Sequence, residues 1–196
     1  RLNPEAPVPI LEYKRGVTSK GMSLNVRENL MSFGVEVYIS THPEEIIKTR
    51  YIDEKSNQQI MRYDEEPQIE PLSFNFPKEW NSEYDALVIS DYDKGFLTTE
   101  KIFELTSRFV GPVFIDSKKS NLPADAYIKI NELEYERMAY CNYENLIITR
   151  GGEGAEYKGD LYPAEKVNVF DVVGAGDTFL AALTYGYLKY GRIDKA

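Results

Sequence analysis

Two glycines, Gly174 and Gly176, stand directly before an acidic residue, Asp177, and an apolar segment rich in small side chains follows. This order is typical of a loop that turns on glycine and enters a helix, where free backbone N–H groups favour an anion. An aspartate at such a point can take a proton from an alcohol, and an anion cradle beside a base suits phosphoryl transfer to a hydroxyl. An ordinary left-handed turn that caps a helix, with Asp177 as a first-turn acid, explains these residues equally well.

Short apolar segments predict the strands of a buried sheet. They lie at residues 86–90, 113–115, 126–130 and 146–149, and residues 98–109 between two of them have the pattern of an amphipathic helix. Alternating strands and helices indicate an α/β fold of right-handed βαβ units. Ligand chemistry then belongs beyond the carboxyl ends of the strands.

Polar residues follow each of these predicted strands, so we expect them to share one edge of the sheet. They are residues 91–95, residues 116–118, Asn131 and residues 150–152.

Two other segments alternate apolar and polar residues with a period of two. Residues 7–13 predict a strand, and residues 46–63, with a turn at 53–57, predict a hairpin. A two-stranded ribbon alone is marginal in water, so we expect these strands to pair with more strands or with another subunit. A plain surface hairpin is the alternative. Residues 25–33 have helical spacing and end at Gly34.

Composition narrows the class of protein. The chain has 196 residues and a formal net charge of −9, without a dense run of Lys and Arg, which argues against nucleic-acid binding. A single cysteine, Cys141, excludes an intramolecular disulfide, and no apolar run suggests a membrane span. We therefore expect a cytoplasmic globular protein. Because the chain begins at Arg1 and not at Met, we also expect residues upstream of it.

Residues 171–178, D-V-V-G-A-G-D-T, resemble the signature of the ribokinase-like (PfkB) carbohydrate kinases. Further blocks occur in the order of that family. N-P-E-A-P-V-P from residue 3 and S-D-Y-D-K-G from residue 90 are most similar to the bacterial heptose 7-phosphate kinase branch. Other blocks are T-H-P from residue 41, I-D-S-K from residue 115, N-E-L-E from residue 131 and T-R-G-G-E-G from residue 149.

The resemblance implies one ribokinase-like kinase domain over residues 1–196, a parallel-sheet sandwich with a small β lid. The lid would comprise residues 1–15 and 44–66, and the α/β body residues 16–43 and 67–196. The implied activity is ATP-dependent phosphorylation of a sugar or sugar-phosphate hydroxyl, with heptose 7-phosphate at its anomeric position as one example. ATP, Mg²⁺ and a monovalent cation near Asp171 are the implied cofactors. The resemblance also implies a homodimer, in which the two subunits contact each other through their lids.

The same resemblance implies roles for residues at the reaction centre. Asp177 would be the base, and the backbone amides of Ala175, Gly176 and Asp177, in the loop that begins at Gly174, would bind the developing charge. The implied substrate contacts are Asn25, Lys48, Arg50 and Lys94. As alternatives, Asn25 caps a helix and the basic residues are solvated on the surface.

Nucleotide and phosphate contacts are implied for Lys118, Asn131, Arg150, Gly152 and Gly154. Glu134, three residues after Asn131, would bind magnesium through water. An ordinary polar pair on a helix and a glycine-rich hairpin turn are the alternatives for these residues.

The chain also departs from the family pattern. Lys20 and Met22 replace small residues around Gly21, the segments near Ser40 and Asn142 are short, and the first strand and last helices of the family have no counterpart. We expect parts of a longer protein here, because the loss of a central strand would expose an edge of the core. A non-catalytic sugar- or nucleotide-binding relative, acting as a regulatory or assembly subunit, is the alternative function.

Overall fold

The computed structural model describes residues 3–73, 83–137, 143–166 and 172–196. Its centre is a six-stranded sheet in which each strand lies beside the next one in sequence. The first four strands run parallel and the last two return antiparallel. This sheet confirms the predicted α/β fold, and its strands are β3 (Leu87–Asp91), β4 (Val113–Ser117), β5 (Tyr127–Asn131), β6 (Leu146–Thr149), β7 (Ala155–Tyr157) and β8 (Asp160–Tyr162).

Within the described residues, four α-helices accompany the sheet: α1 (Met22–Ser32), α2 (Thr99–Arg108), α3 (Glu132–Arg137) and α4 (Ala175–Tyr190). Helix α2 forms where the sequence predicts it, because the side chain of Thr98 accepts a hydrogen bond from the Lys101 amide and caps the helix. Single 3₁₀ turns follow β6 and α4, at Gly151–Glu153 and Ile193–Lys195.

Two apolar layers hold the helices against the sheet. Ile102 and Leu105 of α2 pack on one face, and each contributes about 1.5–3 kcal/mol by burial. Val26 of α1 and Leu180 of α4 pack on the opposite face, around Phe114. Because α1 and α4 share that face, the start of α4 is fixed above the carboxyl ends of the strands.

A separate two-stranded hairpin is formed by β1 (Ile47–Ile52) and β2 (Gln59–Glu65), as predicted. The predicted strand at residues 7–13 is wrong: apart from a bridge at Pro9, this segment is irregular. Pro7 and Pro9 have no N–H and cannot donate to a ladder, which explains the failure. Among the described residues the hairpin pairs with no further strand.

The turn between β6 and β7 depends on a glycine. Gly154 has φ of +111°, and a Cβ there would lie 2.0 Å from the carbonyl oxygen of Tyr162. The neighbouring Gly152 has no heavy atom within 4 Å of its ideal Cβ position. The fold therefore requires glycine at position 154, whether or not a nucleotide binds there.

We expect Gly154→Ala to lower the free energy of unfolding by about 3 kcal/mol, because the new methyl group meets backbone in a strained conformation. Gly152→Ala is the matched control and should change it by less than about 1 kcal/mol. Urea unfolding of both variants measures the difference. Equal stabilities would contradict the turn geometry described here.

Candidate active site

The start of α4 presents an anion-binding end to the carboxyl edge of the sheet. Gly174 precedes the helix in a left-handed conformation, with φ of +80°. The amide of Ala175 donates to the Val172 carbonyl at 3.2 Å, whereas the amides of Gly176 and Asp177 have no acceptor among the described residues. Asp177 in the first helical turn is only 5% exposed. An ordinary first-turn acid would point to solvent, so this burial sets Asp177 apart.

Two neutral donors hold the carboxylate of Asp177. Nδ2 of Asn25 donates to Oδ2 at 3.0 Å, and the hydroxyl of Tyr92 donates to Oδ1. Asn25 lies inside α1, whose N-cap is Gly21, so the helix-cap alternative for Asn25 is wrong. A Cβ at Gly174 would come within 2.8 Å of Nδ2 of Asn25, which makes glycine necessary for this contact.

Tyr92 is held in place by the residue before it. The buried carboxylate of Asp91 accepts hydrogen bonds from Ser117 Oγ at 2.7 Å, from Lys119 Nζ at 2.9 Å and from the Asp93 amide at 2.9 Å. Burial raises the pKa of the Tyr92 phenol well above its ordinary value, and the hydrogen bond to Asp177 raises it further. The phenol is therefore a permanent donor to Asp177 at physiological pH.

A buried ion pair lies beneath the start of α4. Nζ of Lys129, on β5, is 2.6 Å from Oδ2 of Asp116 on β4, and Lys129 is 5% exposed. A Cβ at Gly176 would lie 2.9 Å from Nζ of Lys129. Burial raises the pKa of the Asp116 carboxyl, although Lys129 opposes that rise. The ammonium makes one hydrogen bond to the described residues, which leaves two of its hydrogens for an anion.

Asn131 and Glu134 form a reciprocal capping box at the start of α3. The Glu134 amide donates to Oδ1 of Asn131 at 2.9 Å, and the Asn131 amide donates to Oε2 of Glu134 at 3.0 Å. The spacing of these two residues thus has a structural reason. Both side chains also face the cavity beside Asp177.

That cavity has a volume of about 200 Å³, and most of the residues predicted at the reaction centre line it. We call it the base cavity. Its lining includes Lys118, Lys129, Asn131, Glu134, Gly174, Gly176 and Asp177.

A second cavity of about 680 Å³ lies under the hairpin, and we call it the hairpin cavity. Tyr92 and Lys118 line both cavities. The remaining residues of the hairpin cavity are Lys48, Arg50, Arg62, Asp64, Glu66 and Lys94.

Most cations of the hairpin cavity are paired with acids. Glu66 bridges Lys94 at 2.6 Å and Lys48 at 2.9 Å, and these two hydrogen bonds lower the pKa of the Glu66 carboxyl to about 2. Asp64 contacts Lys48 and Arg62. Among the described residues, no carboxylate lies within ion-pair distance of Arg50 or of Lys118. These two cations are therefore the ones available to an anion.

Three residues predicted to bind nucleotide are placed elsewhere. Arg150 is bound by Glu156, at 2.7 Å from its Nη2, and by Glu132. Arg150, Gly152 and Gly154 line neither cavity. Their nucleotide role stays a prediction, and a phosphate would have to compete with two carboxylates for Arg150. Asp171 and Cys141 lie outside the described residues.

Sequence reasoning assigned no role to three residues that build the site. A lysine inside an apolar strand, such as Lys129, is itself a signal of a paired buried charge. The sequence predicts the correct edge of the sheet for Asp116 and Tyr92. Their hydrogen-bond partners lie elsewhere in the sequence, however, and no local pattern identifies those partners. Only the fold brings Tyr92 to Asp177.

Two features are absent from the described residues. No group of three His, Cys, Asp or Glu side chains there lies close enough to hold a metal ion. Within residues 3–73, 83–137, 143–166 and 172–196, none of the helices combines the length and apolar character needed to cross a membrane.

Removing one member of the buried pair should be costly. We expect Lys129→Met to lower the free energy of unfolding by about 3–5 kcal/mol, because it leaves Asp116 buried without its cation. Adding Asp116→Asn should recover more than half of that loss. Lys14→Met, which breaks the exposed pair with Glu12, is the control and should cost less than about 1 kcal/mol. Urea unfolding of the wild type and the three variants measures these differences in stability. If the double variant recovers none of the loss, the energetic dependence of Asp116 on Lys129 is contradicted.

The sequence of this chain is similar to the sequences of known proteins. Residues 112–196 match the family model described as pfkB family carbohydrate kinase. Bifunctional protein HldE of a Nitratiruptor species is 30% identical over 251 aligned residues, which cover 100% of this chain and 54% of that protein. Bifunctional protein HldE of Helicobacter acinonychis is 28% identical over 259 aligned residues, covering 100% of this chain and 56% of that protein.

The chain spans about half the length of these curated relatives. The alignment with the Nitratiruptor protein is 251 residues long and the chain has 196, so that relative carries residues without a counterpart here. The chain is therefore similar along its whole length to the HldE proteins, and its residues 112–196 match the pfkB family of carbohydrate kinases.

Proposed function

We propose that this chain is an ATP-dependent phosphotransferase that phosphorylates a hydroxyl of a sugar or sugar phosphate. The observation that carries this proposal is Asp177, a buried carboxylate at the start of α4 beside two amides without acceptors among the described residues. The family match and the HldE relatives support the same class of reaction.

In the proposed reaction the acceptor hydroxyl binds in the base cavity and gives its proton to Asp177. The hydroxyl oxygen forms a bond to the γ-phosphorus of ATP, while the bond from that phosphorus to the bridging oxygen breaks and ADP leaves. Asn25 and Tyr92 keep the carboxylate oriented throughout. A base positioned in this way contributes a factor of about 10²–10⁴ to the rate.

Charge on the transferred phosphoryl group is received by the backbone amides of Gly176 and Asp177 and by Lys129. The Ala175 amide, also predicted for this role, already donates to Val172. Lys118, which faces both cavities without an ion pair among the described residues, suits the nucleotide phosphates. A few placed cations and amides thus serve a phosphate in a chain whose net charge is −9.

Magnesium fits this site through one carboxylate. Mg²⁺ in nucleotide sites keeps several waters and uses one or two carboxylates plus substrate phosphates, and Glu134 is a carboxylate that lines the base cavity. When bound there, Mg²⁺ would neutralise phosphate charge. A monovalent cation near Asp171 stays a prediction of the family resemblance.

The hairpin cavity suits an acceptor that carries its own phosphate. Arg50 and Arg62 face each other across the two strands, an unfavourable pair of like charges unless an anion or an acid lies between them. Asp64 forms an ion pair with Arg62, so Arg50 is the arginine available to the phosphate of the substrate. Heptose 7-phosphate, phosphorylated at its anomeric oxygen, is the acceptor that we propose from the resemblance.

The hairpin is proposed as a lid over the acceptor and as the contact of a homodimer. Its cavity face is basic, while residues on its outer face leave apolar side chains exposed, which a second copy of the lid would cover. These side chains are Ile47, Tyr51, Met61 and Tyr63. Such a dimer would also supply the additional strands that a two-stranded ribbon needs for stability.

We place the protein in the cytoplasm, where ATP and sugar phosphates are available and a lone cysteine stays reduced. The alternative of a non-catalytic binding subunit is not favoured. Its support was the missing family segments and the substitutions at Lys20 and Met22, whereas the burial of Asp177, the two amides without described acceptors and the buried Lys129 support a catalytic site.

Asp177→Asn should slow turnover about 10²–10⁴-fold and leave folding and ATP binding nearly unchanged, because the amide keeps the shape of the carboxylate without its basicity. ADP formation against a panel of sugars and sugar phosphates, with calorimetry of ATP binding, measures both effects. Asp160→Asn in the outer strand β8 is the matched control. A rate near that of the wild type would remove Asp177 from the mechanism.

Lys48→Ala combined with Arg50→Ala should raise KM for a sugar phosphate at least about tenfold more than KM for ATP, because charge-assisted contacts to the acceptor phosphate are lost. The control is Lys55→Ala at the hairpin tip, outside the cavity. Steady-state kinetics with each substrate varied in turn provides the comparison. Equal effects on both substrates would exclude the hairpin as the acceptor lid.

A further inference from the structure

Tyr92 lies between the base cavity and the hairpin cavity and lines both of them. We propose that Tyr92 is a positioning residue, whose hydroxyl holds one oxygen of the Asp177 carboxylate while Asn25 holds the other. This inference rests on the proposed role of Asp177 as the base. It assigns to the tyrosine of the S-D-Y-D-K-G segment a function that its sequence context does not reveal.

The backbone around Tyr92 is fixed on both sides. Before it, Asp91 is 7% exposed and accepts three hydrogen bonds, from Ser117, Lys119 and the Asp93 amide. After it, Asp93 has φ of +55°, and its carboxylate binds Lys119 as well. The two acids and Lys119 together close a tight turn. This turn directs the phenol toward Asp177 and leaves it little freedom.

The surroundings of Asp177 explain why neutral donors are needed there. Asp116 on β4 and Glu134 on α3 share the base cavity with Asp177, and carboxylates so close together repel one another. Lys129 on β5 and Lys118 after β4 face the same cavity, but Lys129 is already paired with Asp116. Tyr92 and Asn25 donate hydrogen bonds to Asp177, which offset this repulsion and fix the orientation of the carboxylate.

A merely structural tyrosine would behave differently. If Tyr92 only filled space, its ring would matter and its hydroxyl would not. The ring also carries a cation–π contact with Lys118, whose Nζ is 6.0 Å from the ring centroid. Tyr92→Phe keeps the ring and removes only the hydroxyl, so this substitution separates the two roles.

We expect Tyr92→Phe to lower kcat about tenfold and to leave KM for ATP within about twofold. Without the phenol the carboxylate of Asp177 loses the hydrogen bond to its Oδ1, so the loss should fall on kcat and not on KM. Tyr157→Phe is the matched control, because it removes a tyrosine hydrogen bond, to Asn145, at the far edge of the sheet. A kcat equal to that of the control would overturn the proposal.

A second readout does not depend on activity. With ¹³C-labelled aspartate, the side-chain carboxyl resonance of Asp177 is assigned by its loss in Asp177→Asn. Its chemical shift should change in Tyr92→Phe, which removes a hydrogen bond to that carboxylate, and stay unchanged in Tyr157→Phe. An unchanged chemical shift in both variants overturns the proposal, even in an active enzyme. If Asp177 proves dispensable for turnover, the proposed function fails while this comparison still decides the contact.

Should Tyr92→Phe not fold, a substitution on the other side of the contact provides the same information. The ¹³Cζ resonance of labelled Tyr92 must then differ between the wild type and Asp177→Asn, because that substitution changes the acceptor of its hydroxyl. An identical resonance in the two folded proteins overturns the proposal.

Discussion

The site depends on the burial of one carboxylate, that of Asp177, at the start of α4. A buried charge is expensive unless hydrogen bonds and opposite charges compensate for it. Compensation comes from three directions: the helix end itself, Asn25 on α1 and Tyr92 after β3. The packing of α1 and α4 on the same face of the sheet is what keeps these groups together. A shift of α4 along the sheet would separate the carboxylate from both side-chain donors at once.

A glycine, Gly176, allows a buried cation to approach the start of α4 as well. Lys129 and Asp116 bring an ammonium and a further carboxylate beneath the helix, and Gly176 leaves room for them because it has no side chain. Any larger residue at position 176 would displace the ammonium or the helix. The glycine loop therefore has two structural effects, since it leaves two amides without acceptors among the described residues and lets a buried cation approach the same point.

Much of the fold could be predicted from local patterns, and the contacts within the site could not. The apolar segments at 113–115 and 146–149 became strands because their residues need burial on both faces. Residues 7–13 instead alternate apolar and polar side chains, and the strand predicted there does not form, because proline cannot complete a ladder. The donors to Asp177 lie 152 and 85 residues away along the chain. A pattern read within a short window contains no information on such pairs, which only the fold determines.

The acidic residues of the hairpin cavity affect how strongly the cavity can attract a phosphate. Glu66 neutralises part of the charge of Lys48 and Lys94, which lowers the attraction for an anion. In return it ties the hairpin to the loop after β3, and a fixed hairpin keeps Arg50 over the cavity. Because the pKa of Glu66 is lowered to about 2, its contribution to stability is complete above its ordinary value near 4.5 and is lost only as the pH falls toward 2. The connection between hairpin and body therefore stays charged at every pH at which a sugar phosphate would be bound.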